Sequence, residues 1–414
     1  MQARKEKEMV VDDSVAGSRK TFRGGNLLRG RSEADAHVGF IELFFDLVFV
    51  FAVTQLSHYL IGHQTPIGVL QGAMLFVAVW WVWIYTIWCT NWLNTEVWPV
   101  RLMLFAMMAG GLALAMAMPS AFGQGGLVFA VAYGVLQVGR GLFMVAVLRG
   151  RSPGNQRNFL RITIWAMAAA LFWIGGGLVP PAIRIPFWLV ALAIDAAGPP
   201  LRYFVPGLGA SSTSEWNVEA HHMSERCGLF VIIALGESIL LTGSTFSGMA
   251  WTGAGVAAFA SAFITIVAMW WIYFHQGAEA ATEHFAHAAD RGRIARFAYT
   301  YLHMPIVAGV IVNAASDEML IAHPAGHLDP GVAGLLIGGP ALFLASVMLF
   351  KRVTAGGWRL SHLAGLVLLG LLALSAWLAH PAPILLGIGV SAVLVLTAFW
   401  ETVSLGKAPR LSGR

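Results

Sequence analysis

Apolar residues run along this chain in stretches of about 20, separated by short gaps rich in polar residues, glycine and proline. The stretches cover 39–60, 67–88, 101–119, 126–148, 161–180, 185–200, 224–243, 250–275, 297–316, 331–350, 360–379 and 383–402. At a helical rise of about 1.5 Å per residue, most match a hydrocarbon layer of about 30 Å, so each is predicted to be a membrane-crossing helix. The sixth is short and holds Arg184, Pro186, Asp195, Pro199 and Pro200, which predicts a tilted, broken or partly re-entrant segment. The fold class is therefore all-α, a polytopic membrane protein of about twelve transmembrane helices.

Charge gives these helices a direction. Of 26 basic residues, 23 fall before the first stretch, after the last, or around alternate connections. Arg184 is alone on the opposite side, and Arg140 and Arg226 lie within stretches. The positive-inside rule makes the loaded side cytoplasmic and places both termini there.

The net charge of +5 then follows from topology, and the basic stripe of a nucleic-acid groove is absent. A mean hydropathy of +0.70, with 57% hydrophobic and 11% charged residues, makes the lipid bilayer the expected partner. Residues 1–36 are polar and basic, predicting a disordered cytoplasmic tail that touches anionic lipid and is not a cleaved signal. Residues 404–414 read as a second tail. Cys89 and Cys227 are expected to stay thiols, and no cofactor is implied.

The chain also echoes itself. Aligning Glu42 with Glu225, an offset of 183, sets Thr54-Gln55 against Glu237-Ser238. Val77-Ala78-Val79-Trp80-Trp81 recurs as Val267-Ala268-Met269-Trp270-Trp271 at an offset of 190. Two six-helix repeats, 37–204 and 221–403, joined by a linker at 205–220, are expected. An even number of helices in each makes the repeats parallel, related by an axis near the membrane normal.

Ionisable residues within apolar stretches are the candidate site, because a charge in hydrocarbon is retained only where something meets it. Glu42 and Asp46 are four apart and share one helix face. They suit a proton relay or a cation mouth, or an ion pair with Arg101, Arg140 or Arg226. His221, His222, Glu225 and Arg226 open the seventh stretch, and Glu237 lies about 22 Å along it from His222. Arg140 needs a buried acid or a watery cavity, with Glu237 or Asp46 as the partner to test. Asp195 is read as pairing with Arg202 or Arg140. A metal would require His37 or Asp46 to join the histidines, and none is predicted. Glu279 to Asp290 read as a solvated helical extension, His303 as a satisfied buried histidine, and Asp317 as close to the outer interface. Trp80, Trp81, Trp270 and Trp271 suit a hydrophobic constriction, an aromatic-ligand pocket or plain packing.

The run from Phe40-Ile41-Glu42-Leu43-Phe44-Phe45-Asp46 to Thr54-Gln55-Leu56 resembles the bacterial low temperature requirement A membrane proteins. The likeness continues through Trp80-Trp81, Asn91, His222, Glu225, Arg226, Leu235-Gly236-Glu237-Ser238 and Trp270-Trp271. It implies a multi-pass protein of the bacterial inner (plasma) membrane, from a family named for growth in the cold and bringing no settled activity. A looser likeness links Phe45-Asp46 to potassium or proton channels of the transmembrane-protein-175 type, although Glu42 and Phe44 depart from their opening sequence.

Three functions are consistent with these residues. A transporter or channel would move protons, a small cation or a proton-coupled solute past buried carboxylates. An intramembrane enzyme would use His221, His222, Glu225 and Glu237 on an apolar substrate. A scaffold or sensor would hold the same charges as buried pairs. No phosphate-binding Gly-x-x-x-x-Gly-Lys-Ser/Thr loop supports ATP-driven pumping, and a homodimer is compatible with the sequence.

Overall fold

The computed structural model describes residues 26–30, 38–212, 216, 218–275 and 278–406. Thirteen helices follow one another among them: α1 (Phe40–Gly62), α2 (Pro66–Thr90), α3 (Trp98–Ala117), α4 (Gly126–Leu148), α5 (Pro153–Leu178), α6 (Pro181–Ala197), α7 (Ala220–Ser247), α8 (Gly253–Phe274), α9 (Ala278–Ala286), α10 (Arg291–Ala322), α11 (Pro330–Ala355), α12 (Leu360–Ala379) and α13 (Pro383–Gly406). Eleven are long and apolar enough to cross a membrane; the 17-residue α6 and the 9-residue α9 are shorter. Local chemistry sets their starts. Thr65, Thr252 and Asp329 accept hydrogen bonds from first-turn amides of α2, α8 and α11, and proline opens α2, α5, α6 and α11.

Several boundaries differ from the sequence expectation. α6 is one unbroken helix, because Pro186 falls near its start and Pro199 and Pro200 lie beyond its end. α9 is solvated on one side only: Glu283, His284 and, just beyond its end, His287 are exposed, whereas Phe285 is fully buried, its ring stacked 4.8 Å from that of Tyr299. α10 is the longest helix and is π-helical over Ala295–Leu302. The expected tail at 1–36 lies outside the described residues except for 26–30, as do His37 and 407–414. Residues 26–30 are held against the segment after α2: Arg29 N donates to Trp92 O at 2.9 Å and Asn94 N to Leu27 O at 3.0 Å.

Large apolar side chains lie both inside and outside the bundle. Trp80, Trp83 and Phe129 are buried, whereas Leu171, Trp377 and Phe399 are exposed, as lipid-facing surfaces require. α10 and α11 approach closely through paired glycines. A Cβ on Gly309 would lie 2.6 Å from Phe343 N, and one on Gly339 would lie 2.7 Å from Asn313 N.

The central seam is formed by α1 and α7. Glu42 meets His222 and Arg226, Asp46 meets Arg226, and further along Thr54 meets Glu237. Partners advance in the same direction on both helices, so α1 and α7 run parallel and start at the same end of the bundle. That end is called inner here, after the charge-based orientation.

The loops at the two ends of α4 lie about 34 Å apart by the length of its 23 residues. A cysteine at Gly154 meets open space, and one at Gly123 has only Ser120 O at 3.5 Å, whereas Gly125 would bring a Cβ to 2.2 Å from Ser120 Oγ. Cys89 and Cys227 are buried. Single cysteines at Gly154 and Gly123 are therefore expected to label from opposite faces of the membrane, Gly154 from the cytoplasm. Labelling of both from one face would overturn the crossing of α4.

Candidate functional site

Arg226, at the inner end of the seam, is fully buried and faces both carboxylates of α1. Its Nη2 and Nε donate to Asp46 Oδ1 and Oδ2 at 2.6 and 3.1 Å, and its Nη1 donates to Glu42 Oε1 at 3.0 Å. The i, i+4 spacing stacks the two acids one turn apart, which lets one planar guanidinium reach both. Trp83 Nε1 donates to Asp46 Oδ1 at 2.8 Å. Glu42 Oε2 accepts from Arg29 Nη2 at 3.1 Å and from Gly39 N at 3.0 Å.

His222 completes the cluster. Asn91 is oriented by the backbone of Glu219, accepting from its N at 2.8 Å and donating to its O at 2.9 Å. The Asn91 amide lies 3.3 Å from His222 Nδ1, and His222 Nε2 lies 2.8 Å from Glu42 Oε1 and 3.2 Å from Arg29 Nη2; Nε2–H donating to Glu42, with Nδ1 accepting from Asn91, is the tautomer that suits the carboxylate. With His222 neutral, two carboxylates balance two guanidiniums. Buried charge is thereby compensated within one network.

Glu237 has a different environment. It is buried on α7 about 22 Å along the axis from His222 and accepts from Thr54 Oγ1 at 2.5 Å. Among the described residues, no basic side chain reaches it within ion-pair distance.

A cavity of about 70 Å³ lies at the inner end between α2, α4, α5, α6 and the start of α10. Arg140 and Asp195 line it, together with Trp88, Trp92, Trp165 and Trp216. Arg140 Nη1 donates to Val82 O at 3.1 Å and Thr86 Oγ1 at 3.2 Å, Nη2 donates to Gln137 Oε1, and the guanidinium lies 5.4 Å from the ring centre of Tyr85. Asp195 Oδ2 accepts from Tyr133 at 2.6 Å. Arg202 and Tyr203 have φ of 56° and 47°, a strained region for side-chain-bearing residues. This loop presents Tyr203 to the cavity, with its hydroxyl 2.9 Å from that of Tyr85.

The sequence-derived candidates therefore separate into three places. Glu42, Asp46, His222 and Arg226 come together, Glu237 sits deeper in the seam, and Arg140 and Asp195 line the cavity. Arg140 bonds neither Asp46 nor Glu237, Arg101 pairs with Glu96 at the surface, and Arg202 donates to Ser211 O and not to Asp195. Glu225 is exposed on the other face of α7. Trp80 and Trp81 are buried, with Trp80 Nε1 donating to Thr300 O at 2.9 Å, whereas Trp270 and Trp271 are 44% and 38% exposed. The repeated Trp-Trp pattern thus occupies two unlike environments. His303 is buried between Ala298 O at 2.8 Å and Tyr273 Oη at 2.6 Å. No group of three His, Cys, Asp or Glu able to hold a metal occurs among the described residues.

Sequence reasoning missed two cations with buried partners, one in this network and one apart from it. Arg29 was counted among tail cations, and only the pairing of 26–30 with the end of α2 delivers it to Glu42. Lys351, read as a loop cation, is buried in α11 and donates to both oxygens of Glu401 at 2.7 and 2.8 Å. Arg29 lies in a polar segment before the first apolar run and Lys351 at the end of another, and in neither place does hydropathy give a sign of burial.

Arg226→Met should cost about 3–5 kcal/mol of stability, since it strands two buried carboxylates, and adding Glu42→Gln and Asp46→Asn should recover part of the loss. Denaturant unfolding in detergent measures both. An Arg226→Met protein as stable as wild type would show that the cluster does not hold the seam.

Residues 37–399 match the family described as "Bacterial low temperature requirement A protein (LtrA)". Over 383 residues the chain is 42% identical to a protein of Rhizobium meliloti (strain 1021) described as "Uncharacterized protein RA0937", an alignment covering 91% of this chain and 92% of that one. No solved structure matches the chain.

Proposed function

The chain belongs to the bacterial low temperature requirement A family, and we propose that it is a transporter in which protons, or a small cation in their place, exchange at Glu237 between two six-helix halves. The observation that carries this reading is the contrast along one seam. The inner carboxylates are saturated by arginine, whereas Glu237 is buried with a threonine hydroxyl and no cation at ion-pair distance among the described residues.

The two-half architecture is supported by several features. α1 and α7 run parallel, and an odd number of crossings between them would keep that direction, which supports a crossing by α6 beside those of α2 to α5. Its start supports this: Arg184 donates to Ala121 O and Gly123 O at the outer end, both at 2.7 Å, while Ala196 O accepts from Tyr301 at the inner end. At about 26 Å it is long enough to do so with little tilt. The proposed halves then have six crossings each, α1–α6 and α7–α8 with α10–α13. In both, the first helix packs on the third, the third on the fourth, the fourth on the fifth, the fifth on the sixth and the sixth on the second. Thr65 and Thr252 cap the second helix of each half. Thr54 and Glu237, matched by the offset of 183, touch each other, as residues beside a two-fold axis do.

On this reading Glu42, Asp46, Arg226 and His222 form an ionic latch that closes the inner half of the seam. Opening it would admit the cytoplasm to Glu237. The test is flux: in proteoliposomes, wild-type protein should dissipate an imposed proton, sodium or potassium gradient. Glu237→Gln should fall to the protein-free leak while unfolding at nearly the wild-type denaturant concentration. Asp46→Asn should instead lose stability first. Wild-type protein silent to every gradient would reject transport and favour a membrane scaffold held by buried ion pairs.

A further inference from the structure

The cavity beside Arg140 lies apart from the Thr54–Glu237 contact and has walls of defined chemistry. Arg140 is 4% exposed, and its partners there, Val82 O, Thr86 Oγ1 and Gln137 Oε1, are all neutral. No acid of the described residues reaches it within ion-pair distance. Arg296, a second cation on the lining, donates to Pro199 O at 2.9 Å. Among the described residues the lining holds one carboxylate, Asp195, which accepts from Tyr133. Arg140 has no acid in direct contact among the described residues, its link to Asp195 running through Gln137 and Tyr133, so an entering anion would be the first to meet it directly.

We propose that this cavity binds a small organic carboxylate with a flat aromatic body. The carboxylate meets Arg140, which keeps one face of its donor fork toward Tyr85 and Gln137, and the ring lies among the indoles of Trp88, Trp92, Trp165 and Trp216. An amine is disfavoured: two guanidiniums repel it, against one acid among the described lining residues. A branched or saturated body loses the stacking that four indoles offer. Trp88 also donates to Thr300 Oγ1 at 3.0 Å, so the site spans helices of both proposed halves and its occupant would bear on their relative position. The inference goes beyond the transport reading, since its site lies apart from Glu237, and binding is measured without flux, so either can fail while the other stands.

The experiment is calorimetric titration of the full-length protein in phosphatidylcholine nanodiscs with cinnamate, cinnamamide and cinnamylamine. Cinnamate should bind, and the amide and amine should bind at least about tenfold more weakly. Arg140→Gln should weaken cinnamate by about 10- to 100-fold and leave the amide unchanged, the mark of a lost charge-assisted contact as opposed to a general loss of shape. Ala166→Phe fills the cavity from α5 without touching the charge and should abolish binding, which keeps the test intact should Arg140→Gln not fold. Equal binding of all three compounds, cinnamate affinity unchanged in both variants, or no binding to wild type would each overturn the proposal. Binding of phosphatidylglycerol vesicles blocked by Ala166→Phe, with cinnamate inert, would overturn it in favour of a lipid phosphate.

Discussion

Arg226 is wholly buried in a protein whose solvent is largely hydrocarbon, and a charge there persists only where opposite charge and hydrogen bonds meet it. Glu42 and Asp46 meet it from α1 one turn apart, and a single guanidinium reaches both in one register. Sliding α7 by one turn would leave a carboxylate unpaired in a dry interior. This contact therefore fixes the direction and the height of the seam, and with them the depth at which Thr54 faces Glu237. Non-directional apolar packing does not impose such a register, since lipid tails compete equally for any apolar face.

Much of this was legible in the sequence. Long apolar runs marked the helices, and charges inside them marked Glu42, Asp46, Arg226 and Glu237, because few other reasons put such residues there. The choice of partner was not legible. Arg101, Arg140 and Arg226 were equal candidates for the two acids, and only helix packing separates them. The cavity was invisible because its walls come from five helices distant in sequence. Composition registers the prolines of the sixth stretch without their positions and so predicts a tilted, broken or partly re-entrant segment, but two of the three lie past the end of α6. The Trp-Trp echo survived as sequence while its meaning diverged, since α2 is enclosed by neighbours and α8 turns that face outward.

The end of α2 joins the two polar regions. Trp83 holds Asp46, Asn91 holds His222, and between them Trp88 and Cys89 line the cavity. Two turns of one helix thus carry contacts to the ion cluster and to the aromatic chamber. Residues 26–30 brace the same segment from outside, with Arg29 reaching past Leu93 to Glu42. A displacement of this short stretch would be felt at both places.

The π-helical run in α10 has a consequence for the phase of that helix. Its wider winding frees carbonyls from the regular ladder, and those of Ala295, Ala298 and Thr300 are taken by Thr300 Oγ1, His303 and Trp80. It also inserts an extra residue into the winding, so everything beyond His303 is turned by about 100° relative to an uninterrupted α-helix of the same sequence. Only that angular setting lets Gly309 present its bare backbone to Phe343 while Thr300 still meets Trp80 and Trp88. Removing one residue from 295–302 would rotate the outer half of α10 out of mesh with α11 and leave its inner half in place. The irregular stretch acts as a splice between two helical registers, each cut to a different set of neighbours.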